Sequence, residues 1–243
     1  MTDDDTEEQP IQPGSSGPGL SERPPRRPLD QALIVREAVD FIDEKGREQL
    51  TMRRLGARLG VEAMALYRYL PGREALLDCV VEALMDELYD ATMTGEYGSS
   101  WQEYLQQLAH SVRELALAHP RIFPLVASRP PAAPWLRPPL RSLRWVEEFL
   151  TGLARHGFND ADSVLAYRTF STFLLGHLLL ESTAMSGESI SPEDDELPTP
   201  DHQDLSEYPR LLRLEGPLTQ NAFAEEFDDA LEDLIRRIEI SRS

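Results

Sequence analysis

The 243-residue chain has a single cysteine, Cys79, so it can form no intramolecular disulfide and no multi-cysteine zinc site. Aromatics make up only 7% of the residues and lysine is reduced to Lys45, leaving arginine to carry nearly all the positive charge. No apolar run reaches the roughly 18 residues that span a bilayer, and Phe170–Leu180 is the richest stretch. The Met-Thr-Asp-Asp-Asp start lacks the basic and apolar regions of a signal peptide, which points to a cytoplasmic protein with no membrane partner. Neither H-E-x-x-H nor G-x-S-x-G occurs, there is no phosphate-binding glycine loop, and the five histidines are scattered. Cys79 lies beside Asp78, which disfavours a thiolate. An enzyme is therefore not expected, and no cofactor or metal is called for.

Hydrophobic residues make up 41% of the chain, enough for a proper core. The net charge of −19 argues against a nucleic-acid partner only as an average. Between Met52 and Arg73 stand Arg53, Arg54, Arg58, Arg68 and Arg73 against Glu62 alone, whereas the stretch after Ser186 is strongly acidic. Screening confines each charge to about 8 Å at physiological salt, so a local basic patch can still attract phosphate. On charge alone the same cluster reads first as a solvated helix face.

Apolar spacing predicts helices throughout and no segment alternates with period two, so the fold class is all-α. Residues 1–28, rich in Pro, Gly, Ser and acids, read as a disordered extension. Helices are expected from Asp30 to Gly46, from Thr51 to Gly60, from Val61 to Tyr69 and from Arg73 onward. Further helices are expected at about Ser100–Ala118, Pro139–His156, Asp160–Ser186 and Pro217–Ile240, with a flexible acidic loop at 187–203. This organisation predicts a helix-turn-helix unit over 29–77 and a larger helical unit over 78–240.

In residues 51–70 two short helices meet at Gly60, braced by Leu55, Leu59, Val61 and Leu66. That is a helix-turn-helix pattern, whose second helix enters the major groove of DNA. The run Leu50-Thr51-x-Arg53-x-Leu55-Gly56-x-x-Leu59-Gly60-Val61, then Leu66-Tyr67-x-Tyr69 and Arg73-x-Ala75-Leu76-Leu77, resembles the tetracycline-repressor (TetR) family. Weaker similarity at Ser100-Trp101-Gln102, Arg129-Pro130, His156-Gly157-Phe158 and Leu175-Gly176-x-x-Leu179-Leu180-Glu181 reaches into the C-terminal half. The resemblance implies a homodimeric regulator that binds a double-stranded DNA operator and a small-molecule effector.

It further implies that Arg53, Tyr67 and Arg73 touch DNA, with Tyr69 doing similar backbone work. The groove-facing tip carries Ala63, Met64 and Ala65, which can pack on thymine methyls but cannot make bidentate bonds to adenine. Arg23, Arg26 and Arg27 suit either a minor-groove arm or a solubilising tail. Family members bind effectors among the C-terminal helices and dimerise through the last two long ones, here about Asp160–Ser186 and Pro217–Ile240. Both helices are expected to carry more apolar surface than one monomer's core needs.

Effector candidates are Leu108, Val112, Val126, Arg129, Trp145, Phe149, Phe173, His177 and Glu181, with Trp101, Tyr104, Trp135 and Phe170 as further possible lining or core. Tetracycline repressors hold a magnesium–drug chelate, but Val126 falls where a histidine helps bind the metal and Leu108 where an amide does. A hydrophobic, partly aromatic effector without obligatory metal is expected. His177 and Glu181, spaced i, i+4, are either a polar anchor in that pocket or a buried hydrogen-bonded pair. Rival readings are a ligand-independent regulator or activator on the same fold and, weakest, a small-molecule-binding enzyme.

Overall fold

A computed structural model describes residues 28–93, 98–129, 133, 135–138, 142–187 and 207–242. They form ten α-helices, α1 (Gln31–Lys45), α2 (Met52–Leu59), α3 (Ala63–Leu66), α4 (Arg73–Met93), α5 (Trp101–Ala118), α6 (Phe123–Ser128), α7 (Leu143–Arg155), α8 (Asp160–Ser186), α9 (Pro209–Leu218) and α10 (Phe223–Ser241). A 3-10 turn, Arg47–Gln49, separates α1 from α2, and no strand occurs among the described residues.

Local chemistry sets most of the helix ends. The Asp30 carboxylate accepts from the Leu33 N–H at 2.7 Å, and the Thr51 hydroxyl from the Arg54 N–H at 3.2 Å, so α1 and α2 start capped. Gly46 and Gly60 leave those helices at φ of 84° and 67°, backbone conformations that a Cβ disfavours. Ser100, Ser142 and Asn159 cap α5, α7 and α8 in the same manner as Thr51 caps α2. The N-terminal helices pack on the first half of α4 through Ile34, Ala38, Ile42, Leu55, Leu66, Leu76, Leu77 and Val80. The second half of α4 packs on α5 and α7, so one helix belongs to both ends of the molecule. α8 lies at the centre of the remaining bundle, against α5, α6, α7 and α10. By length and composition α8 could cross a membrane, but its Ala166, Tyr167, Phe170, Leu174 and Leu178 are buried in this bundle.

Three boundaries differ from the sequence expectation. α3 is one turn, Ala63–Leu66, and a hydrogen-bonded turn continues from it through Tyr69, with Tyr69 N and Leu70 N both donating to Leu66 O. α7 starts at Leu143 because Ser142 caps it; Pro139 lies outside the described residues. The last expected helix, Pro217–Ile240, is two helices broken at Thr219–Ala222, where the Asn221 side chain accepts from Phe223 N. The expected 1–28 extension falls outside the described residues except for Pro28, and so does the 187–203 loop except for Gly187.

Candidate nucleic-acid interface and effector cavity

The two short helices of the N-terminal unit cross unusually closely. A Cβ on Gly56 would lie 2.9 Å from the Val61 carbonyl oxygen and 3.3 Å from the Ala63 nitrogen, so only glycine allows this approach without a shift. Val61 N donates to Gly56 O at 2.9 Å and closes the turn. Leu66 is fully buried beneath it. The opposite face of the α3 turn is left in solvent, where Met64 is 73% and Tyr67 45% exposed. Ala63 and Ala65 flank Met64 and are half-buried, while Arg53 and Arg68 are exposed on either side.

The arginine cluster divides by partner. Arg58 grips both Glu44 oxygens at 2.8 Å and Glu37 at 3.0 Å, bracing α2 against α1. Its hydrogen bonds raise the Arg58 pKa and lower that of Glu44. Arg54 is held by the Gln49 side chain and carbonyl. Arg73 donates to the carbonyls of Leu50 at 2.9 Å and Arg47 at 3.0 Å, which pins the start of α4 under the helix-turn-helix. Tyr69 donates to Leu29 O at 2.7 Å and anchors the entry to α1. Of the expected DNA-contacting side chains, Arg53, Met64 and Tyr67 thus face outward, whereas Tyr69 and Arg73 bond to their own chain. Arg68 joins the outward group; sequence reading counted it only as charge, because nothing in its spacing separates it from its neighbours.

In the C-terminal bundle a cavity of about 30 Å³, partly open to solvent, lies among α4, α5, α6, α7 and α8. Met85 and Leu88 of α4, Val112 and Leu115 of α5, Phe123 and Val126 of α6, Trp145 of α7, and Ser171, Leu174 and Leu175 of α8 line it. Val112, Val126 and Trp145 are three of the nine expected effector residues. The other lining residues were not picked out in the sequence, since an apolar residue at helical spacing looks the same whether it borders a void or a neighbour. Ser171 carried no signal at all.

The other six candidates sit elsewhere. Leu108 is packed in the core, and Phe149 stacks between Trp145 and Phe170 with ring centroids 5.4 Å apart on each side. Phe173 and His177 gather with Phe223 and Phe227 where α8 meets α10. Glu181 is buried, but its partner is Arg113 at 2.5 and 3.0 Å rather than His177. Arg129 bonds to Asp78 at 3.1 Å and Glu74 at 2.9 Å, tying the end of α6 to the first half of α4. Trp135 is 78% exposed and Trp101 packs on Phe158, so neither borders the cavity.

A second tie joins the two ends of the molecule. His119 Nδ1 lies 2.7 Å from an Asp43 oxygen at the end of α1, and Arg121 donates to Asp43 O at 3.0 Å. The hydrogen bond with Asp43 raises the His119 pKa despite partial burial. Nothing in the sequence around His119 signals this pairing, since Asp43 lies 76 positions away.

α8 keeps Leu165, Arg168, Thr172, Gly176 and Leu180 exposed along one face. α10 departs from expectation, because Phe227, Leu231, Leu234, Ile235 and Ile238 are buried within the chain and its exposed side is mostly charged. α9 has no buried residue and exposes Leu211, Leu212, Leu214 and Leu218.

Family comparison covers both ends of the chain. Residues 34–80 match the model for bacterial regulatory proteins of the tetR family, and residues 94–241 match the tetracyclin repressor-like C-terminal domain. The class A tetracycline repressor protein of Escherichia coli is 32% identical over 158 residues, 65% of this chain and 69% of that one. A possible TetR family transcriptional regulator from Streptomyces coelicolor superposes with a TM-score of 0.69 at 29% identity, covering 88% of this chain and all of the other. The Streptomyces coelicolor TetR family protein ActR, in complex with actinorhodin, gives a TM-score of 0.64 at 25% identity over 89% and 98% of the two chains.

Proposed function

The chain belongs to the TetR family of transcriptional regulators, and on that premise we propose that it is a homodimeric repressor released from a palindromic operator by a small hydrophobic effector. The observation that carries this reading is the course of α4. It is pinned at Arg73 to the base of the helix-turn-helix and runs unbroken to Met85 and Leu88 in the cavity wall. A cavity of about 30 Å³ holds a water or two, far less than an effector needs, so an effector must displace its wall. A 21-residue helix is about 30 Å long, and a tilt of about 5° moves its far end by roughly 2–3 Å. In a dimer that displacement changes the distance between two reading heads that must seat about 34 Å apart.

On the DNA side, Tyr67, Arg53 and Arg68 would bond phosphate or base edges while Met64, with Ala63 and Ala65, packs in the groove. Tyr69 and Arg73 support the head by bonding its backbone. The exposed face of α8, apolar apart from Arg168 and Thr172, is the surface for the second copy, with α10 contributing its charged side to the rim. Leu108 and Phe149 shape the cavity from behind, and Phe173, His177, Glu181 and Arg129 brace the bundle around it. ActR was solved with actinorhodin, a precedent for a bound small molecule on this fold. Acting on DNA places the protein in the cytoplasm, and we assign it no catalytic role.

The narrowness of the cavity also favours a second reading, a regulator that never needs a ligand. One titration separates the two. Fluorescence anisotropy on DNA from the protein's own promoter region, over a salt series, should give tight binding. Arg53→Ala and Tyr67→Ala should each weaken it, and Arg53→Ala, which removes a charge, should also lower the salt slope by about one. Release of that DNA by a bound small molecule supports the effector switch. Equal affinity with and without saturating ligand leaves the ligand-independent reading.

A further inference from the structure

Two polar groups stand in the cavity wall without partners. Trp145 and Ser171 are each 3% exposed, and neither the indole Nε1 nor the serine Oγ makes a hydrogen bond among the described residues. The other eight lining residues are apolar and none carries a charge. Tyr167, one turn before Ser171, spends its hydroxyl proton on Pro138 O at 3.0 Å. Burial pushes that phenol up to about 12, and the Ser171 side chain beside it tempers the rise. An unpaired buried N–H or O–H costs folding free energy, so such groups are rare in a core. Two of them on one small apolar cavity are a recognition pattern waiting for acceptor atoms.

We infer that Trp145 and Ser171 are specificity residues for a neutral, flat, carbonyl-bearing aromatic effector, with the Trp145 N–H and the Ser171 hydroxyl donating to its oxygen atoms. The inference rests on the effector reading above. Neutrality follows from the wall, which offers no counter-charge to an ion that would have to leave water. Flatness follows from Trp145, whose ring lies within 18° of parallel to Phe149, itself stacked on Phe170. A planar ring system extends that stack, while the aliphatic side chains of α4, α5 and α8 close over its other face. No metal is required, because the acceptors are met by protein donors directly.

The matched probes are 9-fluorenone and its hydrocarbon counterpart fluorene, equal in shape and different in one carbonyl. In the full-length protein, labelled with ¹⁵N, the indole signals of Trp101, Trp135 and Trp145 are followed during each titration, with Trp145→Phe used for assignment. Fluorenone should bind roughly fivefold or more tightly than fluorene, the factor expected for one buried hydrogen bond. It should move the Trp145 indole proton downfield, which fluorene should not do. Ser171→Ala should reduce the preference for the ketone several-fold and, without ligand, should leave the melting temperature unchanged or raised, since it removes an unpaired group. Equal binding of the two probes, binding of neither, an unmoved Trp145 indole in the fluorenone complex, or a melting temperature lowered by Ser171→Ala each overturns the inference. DNA release measured alongside keeps the two readings apart. Release by fluorene as readily as by fluorenone preserves the switch and removes the polar recognition. Selective fluorenone binding with DNA still bound does the reverse.

Discussion

Replacing Gly56 by alanine tests whether the angle between α2 and α3 is set by backbone contact. The new methyl carbon would lie 2.9 Å from the Val61 carbonyl oxygen, 3.3 Å from the Ala63 nitrogen and 3.4 Å from Ala63 Cα. All three neighbours are backbone, so the strain cannot be relieved by turning a side chain. Two terms oppose each other. Alanine is favoured over glycine inside a helix by about 1 kcal/mol. Forcing extra volume into a tight contact costs about 1–3 kcal/mol. The net expectation is a loss of about 1 kcal/mol, or roughly 2–4 °C in melting temperature for a chain of this size. The larger effect is on DNA. Opening the crossing shifts the α3 turn, and with it Met64 and Tyr67, relative to Arg53 on α2. Operator affinity should fall by at least tenfold while circular dichroism still reports a helical protein. Anisotropy titration and thermal unfolding on the same preparation give both numbers. A Gly56→Ala protein that is more stable and binds its operator normally would refute the reasoning, because the crossing would then have slack.

Other consequences concern the ties between helices. His119 has a folded pKa raised above its ordinary 6.5 by Asp43, so the bridge stabilises fully below pH 6.5 and is lost as pH rises through the folded value. Besides Asp43, the charged groups acting on it are Asp40 on α1 and Glu87 on α4. The difference in melting temperature between the native protein and His119→Asn should therefore shrink by a few degrees between pH 6 and pH 9; a difference independent of pH would remove the bridge from the account. At the junction of α5 and α8, Glu181→Ala strands Arg113 beside the Phe227 ring. Loss of one partner of a fully buried pair costs about 3–5 kcal/mol; Arg113 can reach water, so about 2 kcal/mol is expected here. Glu181→Leu with Arg113→Leu should cost less than Glu181→Ala alone, and a double variant that is worse would show that the pair adds stability beyond its own desolvation.

Much of the fold was legible because it rests on short-range rules. Thr51, Gly60, Ser100 and Asn159 announce helix ends through side chains or backbone freedom that act within four residues, and α8 follows its expected span of Asp160–Ser186. The apolar positions Leu55, Leu66, Leu76, Leu84 and Leu88 repeat at helical spacing and are all buried. The break between α9 and α10 was not legible, since Pro217 reads equally as the first turn of one helix or the last of another. The role of each arginine was hidden for a different reason. Arg53 and Arg58 are five residues apart on one helix, yet Arg58 meets Glu37 and Glu44 across the chain and Arg53 does not. Sequence spacing records which residues share a face, not what that face meets.

By itself, then, the sequence determined the all-α class and the helix-turn-helix, because each depends on periodicity and capping within one or two turns. Only the tertiary structure decided that Arg73 and Tyr69 bond their own backbone, that Glu181 belongs to Arg113, and that Trp145 and Ser171 share a cavity with α4. Those facts depend on residues tens of positions apart coming within a few ångströms, a distance set by how the helices pack on one another.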